Sequence, residues 1–185
     1  RAGVKFGHIV EILEDGGDHA ATTFRWEMFI LAGDPRNPAH GADYQRRTDV
    51  NPFAMPDNIA FDHQGRLWIA TDGNSASKTG RSDGLWGLET EGEARATGKL
   101  FFRCPTGAEL CGPEFTPDDE TLFVADGVAD QIVILGPDRL RAIVVQTAAG
   151  EPLVDPAGIA VAPSGSVYVA DTGRHRLLRM ERQGA

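Results

Sequence analysis

Long apolar runs are missing from this sequence: none approaches the roughly 20 residues that a membrane-crossing helix needs, so a helical span is excluded. Basic residues are in the minority, 18 Lys and Arg against 27 Asp and Glu, for a formal net charge of −9. Phosphate backbones need a positive surface, so nucleic acid is excluded as a partner, while an acidic balance suits cations or plain solubility. Cysteine is scarce. Cys104 and Cys111 stand close enough in sequence to face each other across a short loop, but spacing does not fix the Cα geometry, and a disulfide there is left open. Also absent are a Gly-x-Ser-x-Gly elbow, a His-Glu-x-x-His helix and a phosphate-cradling glycine loop. The chain opens on Arg1 without a signal peptide, which fits a mature, trimmed or fragmentary chain and leaves the compartment open.

Glycine and proline are plentiful, 22 and 11, and helical periodicities are few, which favours a turn-rich all-β chain. Its 185 residues are enough for one domain with a core. One string recurs three times: PDNIAFDHQGRLWIATDG at 56–73, PEFTPDDETLFVADG at 113–127 and PAGIAVAPSGSVYVADTG at 156–173. Aligned on their apolar cores, Trp68, Phe123 and Tyr168 coincide, 55 and 45 residues apart, the period of propeller blades. Within the first copy an apolar strand, a turn ending in Gly65 and a β-rich strand make one hairpin, because Gly permits the positive φ of a tight turn.

Further strands are expected at 4–13, 25–31, 84–89, 98–103, 131–135, 141–146 and 175–181. With the hairpins this makes about thirteen strands, or three four-stranded blades and one strand over. The expected fold is all-β: propeller blades of antiparallel four-stranded sheets, partial or completed by assembly. Closed propellers have about four to eight blades, so self-association is one way to cover the open edges. The connection at 33–56, rich in proline and poor in apolar periodicity, reads as a functional or disordered loop.

Arg25 and Glu27 lie two apart on an expected strand and share a face, so a guanidinium could take phosphate oxygens while the carboxylate takes a metal. An ordinary surface ion pair is the competing reading. Asp57 and Asp72 flank the first repeat's strands and are candidate metal ligands, as is Glu109 in its Gly-Ala-Glu-Leu-Cys-Gly loop. Asp126 and Asp171 fall near the repeat position of Asp72, which argues for turn duty in all three. Glu114 falls in the slot of Ile59 and Ile159, where an inward carboxylate needs a partner. His8 and His19 have no partner at metal-binding spacing, and His63 sits in a turn, solvated.

From residue 7 to about 124 the segments FGHIVEI, GGDHAATTFRWEMFILAGDP, MPDNIAFDHQGRLWIATDG, DGLWGLETEG and FRCPTGAELCGPEFTPDDETLFV occur in order. In them the chain resembles the C-terminal part of PhoX-type alkaline phosphatases. The resemblance implies a propeller-shaped, exported (periplasmic or secreted) phosphomonoesterase using iron and calcium, with a phosphomonoester substrate. It implies Arg25 and Glu27 as catalytic residues and Glu27, Asp57, Asp72 and Glu109 as metal ligands. The N-terminal half of such a protein, with further ligands including a cysteine, has no counterpart here. After Val124, DPAGIAVAPSGSVYVADTGRHRLLRM instead resembles an NHL repeat, a blade found in many binding proteins. The expected organisation is one propeller-like domain over 1–185, phosphatase-like to 124 and NHL-like from 125. The competing function is a non-catalytic NHL-like module that binds a ligand or protein partner.

Overall fold

The structure, a computed structural model, describes residues 5–136, 142–148 and 150–180. Residues 4, 141 and 181, which the expected strands included, lie outside these. The first sheet is the hairpin β1 (His8–Glu14) and β2 (Phe24–Leu31), joined through Gly16 and Gly17, both at positive φ. The second holds β3 (Pro56–Phe61), β4 (Leu67–Thr71), β5 (Gly84–Leu88) and β6 (Gly98–Arg103) as an antiparallel meander. A single turn of helix, α1 (Ala76–Thr79), interrupts the β4–β5 connection. The third repeats the meander with β7 (Leu110–Phe115), β8 (Leu122–Asp126), β9 (Gln131–Leu135) and β10 (Ala142–Val145). A small pair, β11 (Thr147–Ala148) and β12 (Glu151–Pro152), leads to a three-stranded sheet of β13 (Pro156–Val161), β14 (Val167–Asp171) and β15 (Arg176–Met180). These are β-propeller blades. Two have the expected four strands among the described residues, the last has three, and the first is a hairpin.

The three repeat copies are one hairpin built three times. Gly65, Asp119 and Gly165 occupy positive φ, and their N–H groups donate to Asp62, Thr116 and Ala162 carbonyls. The middle turn is one residue longer, since Phe115 pairs with Leu122 where Phe61 pairs with Leu67 and Val161 with Val167. That extra residue corrects two expectations. Glu114 opposes Phe123 as Ala60 opposes Trp68 and Ala160 opposes Tyr168, so it takes the alanine position and not the slot of Ile59 and Ile159. Asp171 opposes Pro156 where Thr71 opposes Pro56, and Asp126 likewise ends its strand. Asp72 lies one residue beyond them. A one-residue offset turns a side chain to the other face, so Asp126 and Asp171 are buried while Asp72 is exposed.

The buried pair do serve turns. Asp126 accepts from Ala129 N and Gln131 Nε2. Asp171 accepts from Val154 N at 2.7 Å and Arg176 Nε at 2.6 Å. Burial alone would raise the Asp171 carboxyl, but these donors outweigh it and hold its pKa below the ordinary value.

Blades pack face to face, leaving a core between each neighbouring pair. Between the second and third blades, Trp68, Ala70 and Leu85 meet Leu122, Val124 and Val133. Between the third and last, Phe123, Ala125 and Ile132 meet Val167 and Val169. Trp68 and Phe123 are thus the same repeat position performing the same task, and they are 5% and 8% exposed. The inner strands also approach one another: Gly112 of β7 sits so close to β13 that a Cβ would come 3.1 Å from Ala157 O and Ile159 N.

Of the two alternatives for the connection at 33–56, functional or disordered, the second does not hold, for the segment is packed. Tyr44, Val50 and Phe53 are buried and close the core between the β1–β2 hairpin and the second blade. The Tyr44 hydroxyl donates to Phe53 O and accepts from Phe53 N, at 3.3 and 3.1 Å. Cys104 and Cys111 are both free and lie in different inter-blade cores, so no disulfide joins them.

Replacing Tyr44 by Phe leaves the Phe53 N–H buried without its acceptor, and is expected to cost about 1–3 kcal/mol of unfolding free energy in urea titrations. An unchanged midpoint would show that the loop does not depend on this hydroxyl. The Asp171 carboxyl, lowered in the folded state, stabilises the fold above its unfolded pKa of about 4. That contribution is lost as pH falls through the lower folded value, so Asp171→Asn should flatten the acid limb of the stability profile.

Candidate functional site

The inner strands β3, β7 and β13 each carry a register shift near their first residues, between Pro56 and Ile59, Cys111 and Glu114, and Pro156 and Gly158. A bulge leaves residues out of the ladder and re-aims their side chains. In β3 the freed residues are Asp57 and Asn58. Asp57 is exposed, while Asn58 Oδ1 accepts from Gly112 N at 2.8 Å and ties β3 to β7 at that end. Asp72 follows the end of β4, its N–H donating to Met55 O. Glu109 precedes β7.

Cys111, the second residue of β7, lies within the electrostatic reach of these segments. Its thiol is 3.5 Å from Glu109 Oε1, and the charges of Glu109, Asp57 and Asp72 all act on it. Burial first, then those carboxylates, pushes the thiol up to about 12. Three of the sequence-predicted ligands, Asp57, Asp72 and Glu109, are therefore gathered at one end of the inner strands. Cys111 was not singled out as a site residue, although it is the second residue of β7 as Asp57 is of β3, a signal available in the repeat. On the β4 side, Lys78 Nζ of α1 donates to the carbonyl of Gly73, the residue after Asp72.

Arg25 and Glu27 lie elsewhere. Both stand exposed on β2, where Arg25 opposes Leu13 and Glu27 opposes Glu11. Two glutamates directly opposite repel, and Arg95 answers them: its Nη2 donates to Glu11 Oε2 at 2.6 Å and to Glu27 Oε1, with its Cζ 4.5 Å from the Phe29 ring centroid. Arg95 belongs to the turn after β5, at the Leu67–Leu88 end of the second blade, whereas Asp72 follows Thr71 at the opposite end. Four residues of strand separate those ends, about 13 Å. Glu27 and Arg95 line an open groove of about 980 Å³ with Ile59 and Phe61. Nothing in the 89–97 turn marked Arg95 in advance, since its role depends on two strands far away in sequence.

Glu114 is half-buried, and its Oε1 accepts from Val161 N at 3.5 Å, so it stitches β7 to β13. His19 Nδ1 meets Glu14 at 3.3 Å, and His63 Nδ1 meets Asp119 at 3.1 Å while staying largely exposed. His8 stands exposed at the start of β1. Among the described residues no three of His, Cys, Asp and Glu converge closely enough to hold a metal ion. No helix among them is long and apolar enough to cross a membrane.

Comparison with known proteins follows the same division. The family model of alkaline phosphatase PhoX matches residues 1–126, and that of the NHL repeat matches 153–180. Among solved structures, PhoX of Pseudomonas fluorescens, determined with vanadate as a transition-state analogue, is 33% identical with a TM-score of 0.57. That match covers 65% of this chain and 21% of that one, so the chain spans about a fifth of the length of its relative. Virginiamycin B lyase of Staphylococcus aureus, 17% identical, has a TM-score of 0.51 over 71% of this chain and 39% of its own. A luciferin-regenerating enzyme, 15% identical, has a TM-score of 0.55 over 95% of this chain and 52% of its own. The last two share the fold. No curated protein sequence matches.

A thiol held near 12 stays protonated at neutral pH, and the thiolate is the nucleophile. Iodoacetamide should therefore label Cys111 slowly at pH 8 in the folded protein. Glu109→Gln removes one charge and should speed labelling several-fold at pH 9, read by mass spectrometry; an unchanged rate would mean that burial alone protects the thiol.

Proposed function

The chain belongs to the alkaline phosphatase PhoX family, and from that premise we propose that it contributes one acidic wall of a phosphoric monoester hydrolase site. The observation behind this reading is the contact of Glu109 with the buried thiol of Cys111, which also feels the charges of Asp57 and Asp72 from two other segments. Carboxylate oxygens from separate segments are the kind of donor a hard cation takes. Oxygen donors of this kind suit the calcium that the family resemblance implies, and a thiolate suits iron. Yet the described residues do not by themselves make a closed ligand set for either ion. A complete site would draw on ligands beyond those described.

Arg25 and Glu27 enter the proposal as the phosphate-binding and acidic candidates of β2. For Arg25 to reach a phosphoryl group bound at the Cys111 end, the β1–β2 hairpin would have to sit differently against the second blade, with the Arg95 clamp released. In the present geometry Glu27 serves the clamp. We read the two matched parts as one propeller-like unit and, by family habit, as an exported protein.

A second reading rests on the NHL match at 153–180: the last blade serves as a binding module without chemistry. The two readings separate in one experiment on the purified chain. Iron and calcium are measured by elemental analysis, and p-nitrophenyl phosphate hydrolysis is followed for the wild type, Asp57→Asn, Asp72→Asn, Glu109→Gln, Arg25→Ala and Glu27→Ala. The hydrolase reading expects bound metal and at least a tenfold loss in the first three variants, of the order found when a transition-state-stabilising group is removed. Metal-free, inactive protein favours the binding module. Activity indifferent to Arg25→Ala and Glu27→Ala would confine the site to the Cys111 end.

A further inference from the structure

At the end of the inner strands where Asp57 and Cys111 lie, the ladder is interrupted in two neighbouring blades. The β3 shift frees Asp57 and Asn58, and the β7 shift frees Gly112 and Pro113. Proline has no N–H, so the β7 interruption leaves one backbone donor to be satisfied, that of Gly112. A side chain of the neighbouring blade meets it: Asn58 Oδ1 accepts from Gly112 N at 2.8 Å, across 54 positions of sequence. Asn58 is half-buried while Asp57 beside it is exposed, so the amide turns into the seam between the strands and the carboxylate out of it.

The seam on the other side of β7 is made without such a side chain. The β13 shift frees Ala157, whose methyl group accepts no hydrogen bond. There the main chains approach closely instead: Gly112 has φ +52°, and a Cβ on it would stand 3.1 Å from Ala157 O and Ile159 N. Gly112 is therefore bounded by β13 on one side and by the Asn58 amide on the other. Cys111 precedes Gly112, and its thiol is 3.5 Å from Glu109 Oε1, so fixing Gly112 fixes the β7 residues of the candidate site. Asp57 precedes Asn58, and the same hydrogen bond fixes the β3 carboxylate.

We infer that Asn58 is a positioning residue: its amide oxygen holds the β7 bulge at Gly112 and so sets Asp57 of one inner strand against Cys111 and Glu109 of the next. A bulge frees side chains from the ladder but also loosens the backbone that carries them, and a single hydrogen bond between two facing bulges restores a defined spacing. The use of that spacing, to present Asp57 and Glu109 to one cation, rests on the hydrolase reading; the spacing itself does not.

Dibromobimane, which fluoresces when it bridges two neighbouring thiols, tests the spacing without any metal. The parent protein carries Cys104→Ala and Asp57→Cys, so that the new thiol and Cys111 are its only pair. Bridging at pH 9 is expected in the parent, several-fold slower with Asn58→Ala added, and restored with Asn58→Asp, which keeps an acceptor oxygen of the same reach. Position 58 lies outside the ladder, so these variants should keep the circular dichroism of the wild type. Equal bridging in the parent and with Asn58→Ala overturns the inference. So does a parent that does not bridge, or an Asn58→Asp variant as slow as Asn58→Ala. Calorimetric titration with calcium separates the inference from the hydrolase reading. Asn58→Ala should weaken calcium binding several-fold in the wild-type background and add nothing to Asp57→Asn, because both act through one carboxylate. Effects that simply multiply overturn the role of Asn58 in the site. A wild type that takes up no calcium overturns the hydrolase reading alone, and bridging still decides the inference.

Discussion

Everything in this molecule depends on the fact that a propeller blade is apolar on both faces. A sheet of this kind cannot bury itself; it is stable only between two neighbours, and the bond between neighbours is an aromatic side chain reaching across. Trp68 reaches into the third blade and Phe123 into the last, where each is nearly enclosed. The opposite face of the second blade is covered by the β1–β2 hairpin and the 33–56 segment, which contributes Tyr44, Val50 and Phe53 to that core. What reads as a long proline-rich loop thus packs its apolar residues into the core beside the hairpin.

The same stacking creates the candidate site. Inner strands brought side by side by blade packing place their first residues in a ring, and the repeated register shifts turn Asp57 and its neighbours out of the ladder. Carboxylates that would be harmless on separate surfaces then act together on Cys111. At the far end of the blades the identical logic gives a different result: Glu11 and Glu27 face each other on the hairpin, and Arg95 binds them into a structural clamp. At this end the acidic pair is neutralised by a guanidinium from its own chain.

Much of this was legible in the residues. The three-fold repeat, its hairpins and the blade period follow from local patterns of glycine, alternation and aromatic position, and the division between phosphatase-like and NHL-like parts from resemblance of long segments to those families. That Asp57, Asp72 and Glu109 sit at or near strand ends was also legible. The offset of Asp72 from the other two was not legible, because the Asp-Gly and Asp-Thr-Gly strings look equivalent until pairing shows that Asp171 matches Thr71 and that Asp126 likewise ends its strand. Glu114 was misplaced by the longer Thr116–Thr121 turn, whose extra residue is invisible when copies are aligned on their second strands. Arg95 and the separation of Cys104 from Cys111 were beyond reach, for both depend on which sheets become neighbours.

The sequence alone determined that this is a chain of repeated antiparallel hairpins with an acidic surface, because backbone alternation and turn chemistry act over a few residues. It also determined the family, through long motifs in fixed order. Only the tertiary structure decided which carboxylates share a field and which are neutralised by a guanidinium. Those outcomes depend on distances of a few ångströms between residues up to 84 positions apart, such as Glu11 and Arg95, and electrostatic coupling falls off too steeply for sequence spacing to stand in for it.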